Sequence, residues 1–218
     1  MSTTIFDIET GRLPLTELEA SMPPFDESEV KLGNLKDEAK IAAKLEWAQV
    51  KHRQDYIERA ALDPMTGKIL AIGEMDVATG QHTIYVGSEN TIINQFWDSI
   101  RIGGGAGVQR IAGFNVRLFD LPFLCRRSYH HGIPIPTGLF DGRYWHKNVV
   151  DLRDWWQLGD RTVHGSLDRI CKFLDLGEKA GSGKDFAALF ESDREAAMDY
   201  LTHDLELTRA LARRLGVA

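Results

Sequence analysis

The stretch that most constrains what this chain can fold into is Thr3-Thr4-Ile5-Phe6-Asp7-Ile8-Glu9-Thr10. Apolar residues at 5, 6 and 8 suit a buried strand of β-branched and aromatic character. Asp7 and Glu9 stand two residues apart, so a strand sends both carboxylates to one face. Two carboxylates on an otherwise apolar strand repel each other and lose hydration, which calls for a compensating cation. The hard, oxygen-preferring ions Mg²⁺ and Mn²⁺ are the natural choice. An edge strand whose Asp and Glu face water would read the same, and a lone Asp-x-Glu does not separate the two. Two further acidic motifs downstream shift the balance.

At 218 residues the chain is long enough for one good-sized domain with a full core. No apolar run approaches the ~20 residues that span a membrane. No basic segment followed by an apolar one marks a secretory signal. Cys125 and Cys171 are the only cysteines and lack metal-ligand spacing, which predicts a reducing, cytoplasmic setting with two free thiols. The net charge of −6 argues against broad coating of duplex nucleic acid. It leaves room for a small site acting on a nucleic-acid end, since carboxylates around metal ions add to the negative count while the loaded site is far less negative.

After the first strand comes a mostly helical excursion over about residues 11–66, an expected insertion within one domain spanning 1–218. It opens with loop chemistry at Pro14, Pro23 and Pro24. Asn34 to Ala61 then predicts one long helix, with Asn34 as its cap. Its apolar stripe is narrow, as suits either a solvated helix or a flap or oligomer contact. Lys68–Met75 and His82–Val86 predict an antiparallel hairpin. Glu89–Ile102 has the apolar spacing of an amphipathic helix. Gly103 to Gly107 predicts a loop and lacks a dinucleotide fingerprint. Val108–Phe114 predicts a strand, Leu121–Tyr129 a helix, Val149-Val150 a short strand, and Leu167–Leu174 a helix. Asp151 begins or caps another helix through Leu158, and Asp193–Leu215 closes the chain as a helix. This order predicts an α/β fold: a mixed sheet, its first three strands antiparallel, with helices on both faces.

The second acidic motif is Gly113-Phe114-Asn115-Val116-Arg117-Leu118-Phe119-Asp120-Leu121-Pro122. It runs from a strand end through a short loop into a helix, with Pro122 in the first turn. Asp120 is favourably placed beside that helix N-terminus whether or not it binds anything. Asn115 suits a loop residue holding its own backbone, or one facing a substrate. The third motif is Tyr200-Leu201-Thr202-His203-Asp204, where Tyr200 and Asp204, four apart, share a helical face. Alone it could be surface decoration.

Together the three motifs resemble those of the DEDD superfamily of 3′–5′ exonucleases, the DnaQ-like group with a ribonuclease H-like fold. Asp7-Ile8-Glu9 is similar to the first motif, Asn115 through Asp120 to the second, and Tyr200-x-x-x-Asp204 to the third in its tyrosine subclass. The histidine subclass would need His at 199, where this chain has Asp199. The phrasing resembles stand-alone relatives of the family B DNA polymerase proofreading domain. The resemblance implies a five-stranded mixed sheet and two Mg²⁺ or Mn²⁺ ions held by Asp7, Glu9, Asp120 and Asp204. It implies that Tyr200 orients the attacking water, and that Ile8, Thr10, Asn115 and Phe119 contact the terminal nucleotide. The implied reaction is hydrolysis at the 3′ end of single-stranded nucleic acid, DNA before RNA, releasing nucleoside 5′-monophosphates. The rivals are a non-catalytic nucleic-acid-binding or polymerase-accessory module and an RNA-trimming exoribonuclease.

Asp151 reads as a helix cap or as an extra acid near the metals. His130-His131 reads as a helix-end pair. Arg126, Arg127, Lys147, Lys179 and Lys184 are candidate phosphate contacts or scattered solvated charges. Trp145, Trp155 and Trp156 suit the core more than a stacking surface.

Overall fold

The structure is a computed structural model describing residues 3–102, 107–160 and 162–217. The first part of the chain forms β1 (Thr3–Arg12), α1 (Leu15–Ser21), α2 (Glu38–Arg59), β2 (Gly67–Asp76), β3 (His82–Val86) and α3 (Glu89–Ile100). Then come β4 (Arg101–Ile102), β5 (Gly107–Val108), β6 (Arg110–Gly113), α4 (Asp120–His130), β7 (Phe140–Asp141), β8 (Tyr144–Trp145) and β9 (Val149–Asp151). Four helices close the chain: α5 (Leu152–Gln157), α6 (Leu167–Phe173), α7 (Phe186–Ser192) and α8 (Arg194–Arg214). The chain divides into two compact units, Met1–Thr10 with Ile69–Ala218, and Gly11–Lys68.

The larger unit is built on a five-stranded sheet in the order β3-β2-β1-β6-β9. The first three strands are antiparallel, as expected. β6 pairs parallel with both β1 and β9. Alternation along β1 assigns its side chains to two layers. Phe6 and Ile8 enter a core with Ile92, Ile93, Phe96 and Trp97 of α3 and Leu121 and Leu124 of α4. Ile5 enters a second core with Ile170 of α6 and Leu205 and Leu211 of α8. Asp7 and Glu9 share the parity of Ile5, so they emerge on the side of α8. Register places Ile5 opposite Ala112. The two acids therefore follow the last β1–β6 pairs, at the carboxyl end of the parallel strands, where α/β sheets bind ligands. Gly113 permits this junction, because a Cβ there would stand 2.7 Å from the Phe6 carbonyl oxygen.

The smaller unit ties α1 to α2 by polar contacts. Arg53 pairs with Glu19, and Ser21 Oγ lies 3.1 Å from the Tyr56 hydroxyl. No residue of α2 is buried.

Several boundaries differ from the sequence expectation. α2 starts at Glu38, capped by Asp37, whose carboxylate accepts the Lys40 N–H at 3.2 Å. Asn34 lies outside the helix, after a turn in which Gly33 has φ of +66°. Residues 107–113 split into β5, paired with β4, and β6 in the main sheet. Residues 103–106 of the expected glycine loop lie outside the described residues. α1 stands where the prolines predict a loop, and α7 in a stretch whose pattern predicts no element. At seven residues each, they are too short to display helical periodicity.

Candidate active site

Three motifs, far apart in sequence, line one cleft of 710 Å³ in the larger unit. β1 contributes Asp7, Ile8 and Glu9, the β6–α4 junction contributes Asn115, Phe119 and Asp120, and α8 contributes Asp204. Carboxylate oxygens of Asp7, Glu9 and Asp204 all lie within 4.8 Å of one another. Asp120 joins through the backbone, its Oδ1 accepting the Ile8 N–H at 3.2 Å. Thr10 and Tyr200 stand outside the cleft lining.

Burial makes this cluster electrostatically expensive. Asp7 is pushed up to about 6, first by desolvation and then by Asp204. Glu9 and Asp120 are held well above the usual carboxylate range, chiefly by burial and then by Asp7. One lysine relieves the repulsion: Lys179 Nζ lies 2.5 Å from Asp204 Oδ2. Burial works against that lysine's charge, but the pairing with Asp204 outweighs it and raises its pKa. Asp204 Oδ1 remains buried without a hydrogen-bond partner among the described residues. Clustered hard oxygen donors with an orphaned lone pair fit a divalent cation of the Mg²⁺ or Mn²⁺ type.

Tyr200 lies one turn before Asp204, as their spacing predicts. Its ring packs on Phe186 with centroids 6.0 Å apart, and Lys179 Nζ is 5.6 Å from the ring centre. Its hydroxyl is buried and unpartnered among the described residues. Burial, then the charge of Asp204, raises its pKa. His203 turns away, its Nε2 lying 2.8 Å from the Glu178 carbonyl oxygen.

A family described as "Predicted 3'-5' exonuclease related to the exonuclease domain of PolB" matches residues 66–209. The chain belongs to this family. The match takes in Asp120, Tyr200 and Asp204, while Asp7 and Glu9 precede it. Among solved structures, the chain resembles the family B DNA polymerase from the hyperthermophilic archaeon Pyrobaculum calidifontis, with a TM-score of 0.64 and 17% identity. The likeness covers 99% of this chain and 24% of the polymerase, so the chain spans about a quarter of that protein's length. At such identity the likeness is one of fold. No curated protein matches the chain. Family and sheet order together put it among the DnaQ-like, ribonuclease H-like folds.

In this exonuclease-family chain the cleft also recruits residues that the motifs do not announce. Arg153, His164, Ser166, Arg169 and Thr208 line it. Only Thr208, one turn beyond Asp204 on α8, carried a sequence signal. Arg153 and Arg169 begin short helices whose placement depends on packing. Asp151 does more than cap α5. Its Oδ1 accepts the N–H groups of Arg153 and Asn115, both at 2.9 Å, and its Oδ2 accepts that of Arg117 at 3.0 Å. It is not among the cleft-lining residues. Of the candidate phosphate contacts, Arg127 is buried against Glu89 at 2.6 Å, where His131 also pairs at 2.8 Å. Trp155 is exposed, whereas Trp145 and Trp156 are half-buried.

Proposed function

We propose that this chain is a metal-dependent 3′–5′ exonuclease that shortens single-stranded nucleic acid from the 3′ end, DNA in preference to RNA, and releases nucleoside 5′-monophosphates. The observation that carries this reading is the convergence of Asp7, Glu9 and Asp204 within 4.8 Å, at a cleft that Asp120 also lines. These four acids would hold two Mg²⁺ or Mn²⁺ ions, which when bound supply Lewis-acid activation of water and stabilise charge on the phosphate and the departing 3′ oxygen. Tyr200, one turn before Asp204 on α8, carries a buried hydroxyl with no partner among the described residues. With its pKa raised, it is a poor proton acceptor and serves to orient water. The backbone around Ile8 to Thr10, the side chain of Asn115 and the ring of Phe119 would hold the terminal nucleotide. Arg169, which lines the cleft, offsets part of the negative charge a phosphate brings there, while Lys179 offsets that of Asp204. In this reading the chain is one exonuclease domain, with about residues 11–66 inserted in it. The buried, unpaired Cys125 and Cys171 suit a reducing, cytoplasmic setting.

The test uses 5′-labelled single-stranded DNA and RNA of equal sequence, incubated with the protein and Mn²⁺ beside Asp7→Ala. A ladder shortening from the 3′ end, absent in the variant, supports the reading and ranks the two sugars. Intact strands in both lanes overturn it; if those strands shift on a native gel, a binding module takes its place.

A further inference from the structure

Asn115 sits in an unusual backbone state. Its φ is +65°, a left-handed conformation that non-glycine residues adopt at a cost. The Asp151 carboxylate stabilises it by accepting its N–H, and the same oxygen accepts the N–H of Arg153. One buried carboxylate thus fixes both residues relative to each other. Their side chains then meet: Arg153 Nη1 donates to Asn115 Oδ1 at 2.8 Å.

That bond has a chemical consequence. A guanidinium only donates, so the amide atom facing it must be the carbonyl oxygen. The Asn115 NH₂ group is left over. Among the described residues it has no hydrogen-bond partner, and Asn115 lines the same cleft as the acids.

We propose that Arg153 is a substrate-positioning residue that locks the Asn115 amide with its NH₂ toward the cleft, so that the terminal nucleotide is gripped through an acceptor oxygen or ring nitrogen. The proposal rests on the exonuclease reading for its substrate and adds a residue outside the three motifs. Without Arg153 the amide is free to flip and present its oxygen, which repels the same acceptor. Arg153 itself is half-exposed and lines the cleft, so its replacement leaves the core intact.

The experiment is a double-mutant cycle read by the Kd for a short oligothymidylate, with KM and kcat beside it. Asn115→Gly removes the side chain yet tolerates the positive φ. Arg153→Met removes the donor, and Arg153→Lys restores one. Each variant is first compared with wild type in thermal melting, with and without Mn²⁺, to confirm an unchanged fold and metal response. Arg153→Met and Asn115→Gly should each weaken binding about tenfold, as expected for one hydrogen bond to a positioned group. KM should rise by a similar factor while kcat changes by less than about threefold. The double variant should be no weaker than the worse single one, because both remove the same grip. Arg153→Lys should recover part of the loss. Asn115→Asp keeps the arginine partner but lacks the NH₂, and should bind as poorly as Asn115→Gly. Additive losses, no loss in Arg153→Met, or wild-type binding by Asn115→Asp would each overturn the proposal. If wild type binds without cleaving, the exonuclease reading fails while the cycle still decides this one. If wild type neither binds nor cleaves, both fall.

Discussion

Helices α2 and α8 are nearly equal in length, 22 and 21 residues, and both are rich in charge. α2 buries none of its residues. α8 buries nine, including Tyr200, Leu201, Asp204, Leu205, Leu207 and Leu211. The two differ in pattern, not in propensity. In α8 leucines recur at helical spacing, and most of its charges fall off that line, which leaves an apolar stripe to pack on the sheet. Its contact with β2 is close enough that a Cβ on Gly73 would stand 2.7 Å from Leu205 Cδ1. A polar residue within such a stripe is desolvated along with its neighbours. That is how Asp204 on α8 comes to be buried against Lys179 and two other acids, while an aspartate on α2, such as Asp55, forms only an exposed ion pair with Lys51.

The contrast is broken most sharply at the chemistry. Asp204→Ala should slow exonucleolytic cleavage by about 10³-fold or more, several kcal/mol in barrier, in single-turnover kinetics. Asp55→Ala on α2 should leave the rate unchanged in the same assay. Equal effects would remove Asp204 from the machinery.

Packing comes next. Leu205→Ala, at a fully buried position, should destabilise the protein by about 2–5 kcal/mol in urea unfolding. Trp47→Ala on α2, with Trp47 at 63% exposure, should change stability by less than about 0.5 kcal/mol. A large loss at Trp47 would mean that the face is covered in solution.

The third effect is linkage. The folded chain keeps Asp7 protonated up to about 6, where the unfolded chain has already released its proton. Folded-state proton uptake therefore exceeds that of the unfolded state between about pH 4 and pH 6. The stability of the metal-free protein should fall as pH rises through this window, as followed by thermal melting in EDTA. Adding Mn²⁺ at pH 8 should reverse the loss. Saturation at a hundred times Kd is worth about 2.7 kcal/mol, and the gain should vanish in Asp7→Asn. A melting curve indifferent to both pH and metal would contradict the clustered acids.

The smallest effect should be shared. Asp37 caps α2 and Asp193 caps α8, each accepting a backbone N–H from three residues on. Replacement of either by Ala should cost about 1 kcal/mol, seen in chemical denaturation of the unit that carries it. Capping is local chemistry and does not depend on what the helix faces.

Much of the site was legible because it obeys local periods. Asp7 and Glu9 fall on one face by the period of a strand, and Tyr200 and Asp204 by that of a helix. The β2–β3 hairpin and the closing helix follow from the same reasoning. Short elements escaped: α1 and α7 span only two turns each, and the single strand expected over Val108–Phe114 is divided between β5 and β6 in two sheets. Lys179 read as a possible phosphate contact, yet its side chain is spent on Asp204. Arg127 read the same way and is buried against Glu89. Nothing in a sequence tells a free cation from one whose partner arrives from another element.

By itself, the sequence determined which side chains share a face, because backbone geometry repeats every two residues in a strand and every 3.6 in a helix. It therefore announced the acids, the tyrosine and the parity that puts Asp7 and Glu9 with Ile5. Only the tertiary structure decided how near those faces come. The close approach of α8 over Gly73 and of β1 beside Gly113 brings carboxylates from β1 and α8, and the acid at the start of α4, to one cleft. The same packing set Arg153 against Asn115 and Lys179 against Asp204, since desolvation and pairing depend on distance in space and not on separation along the chain.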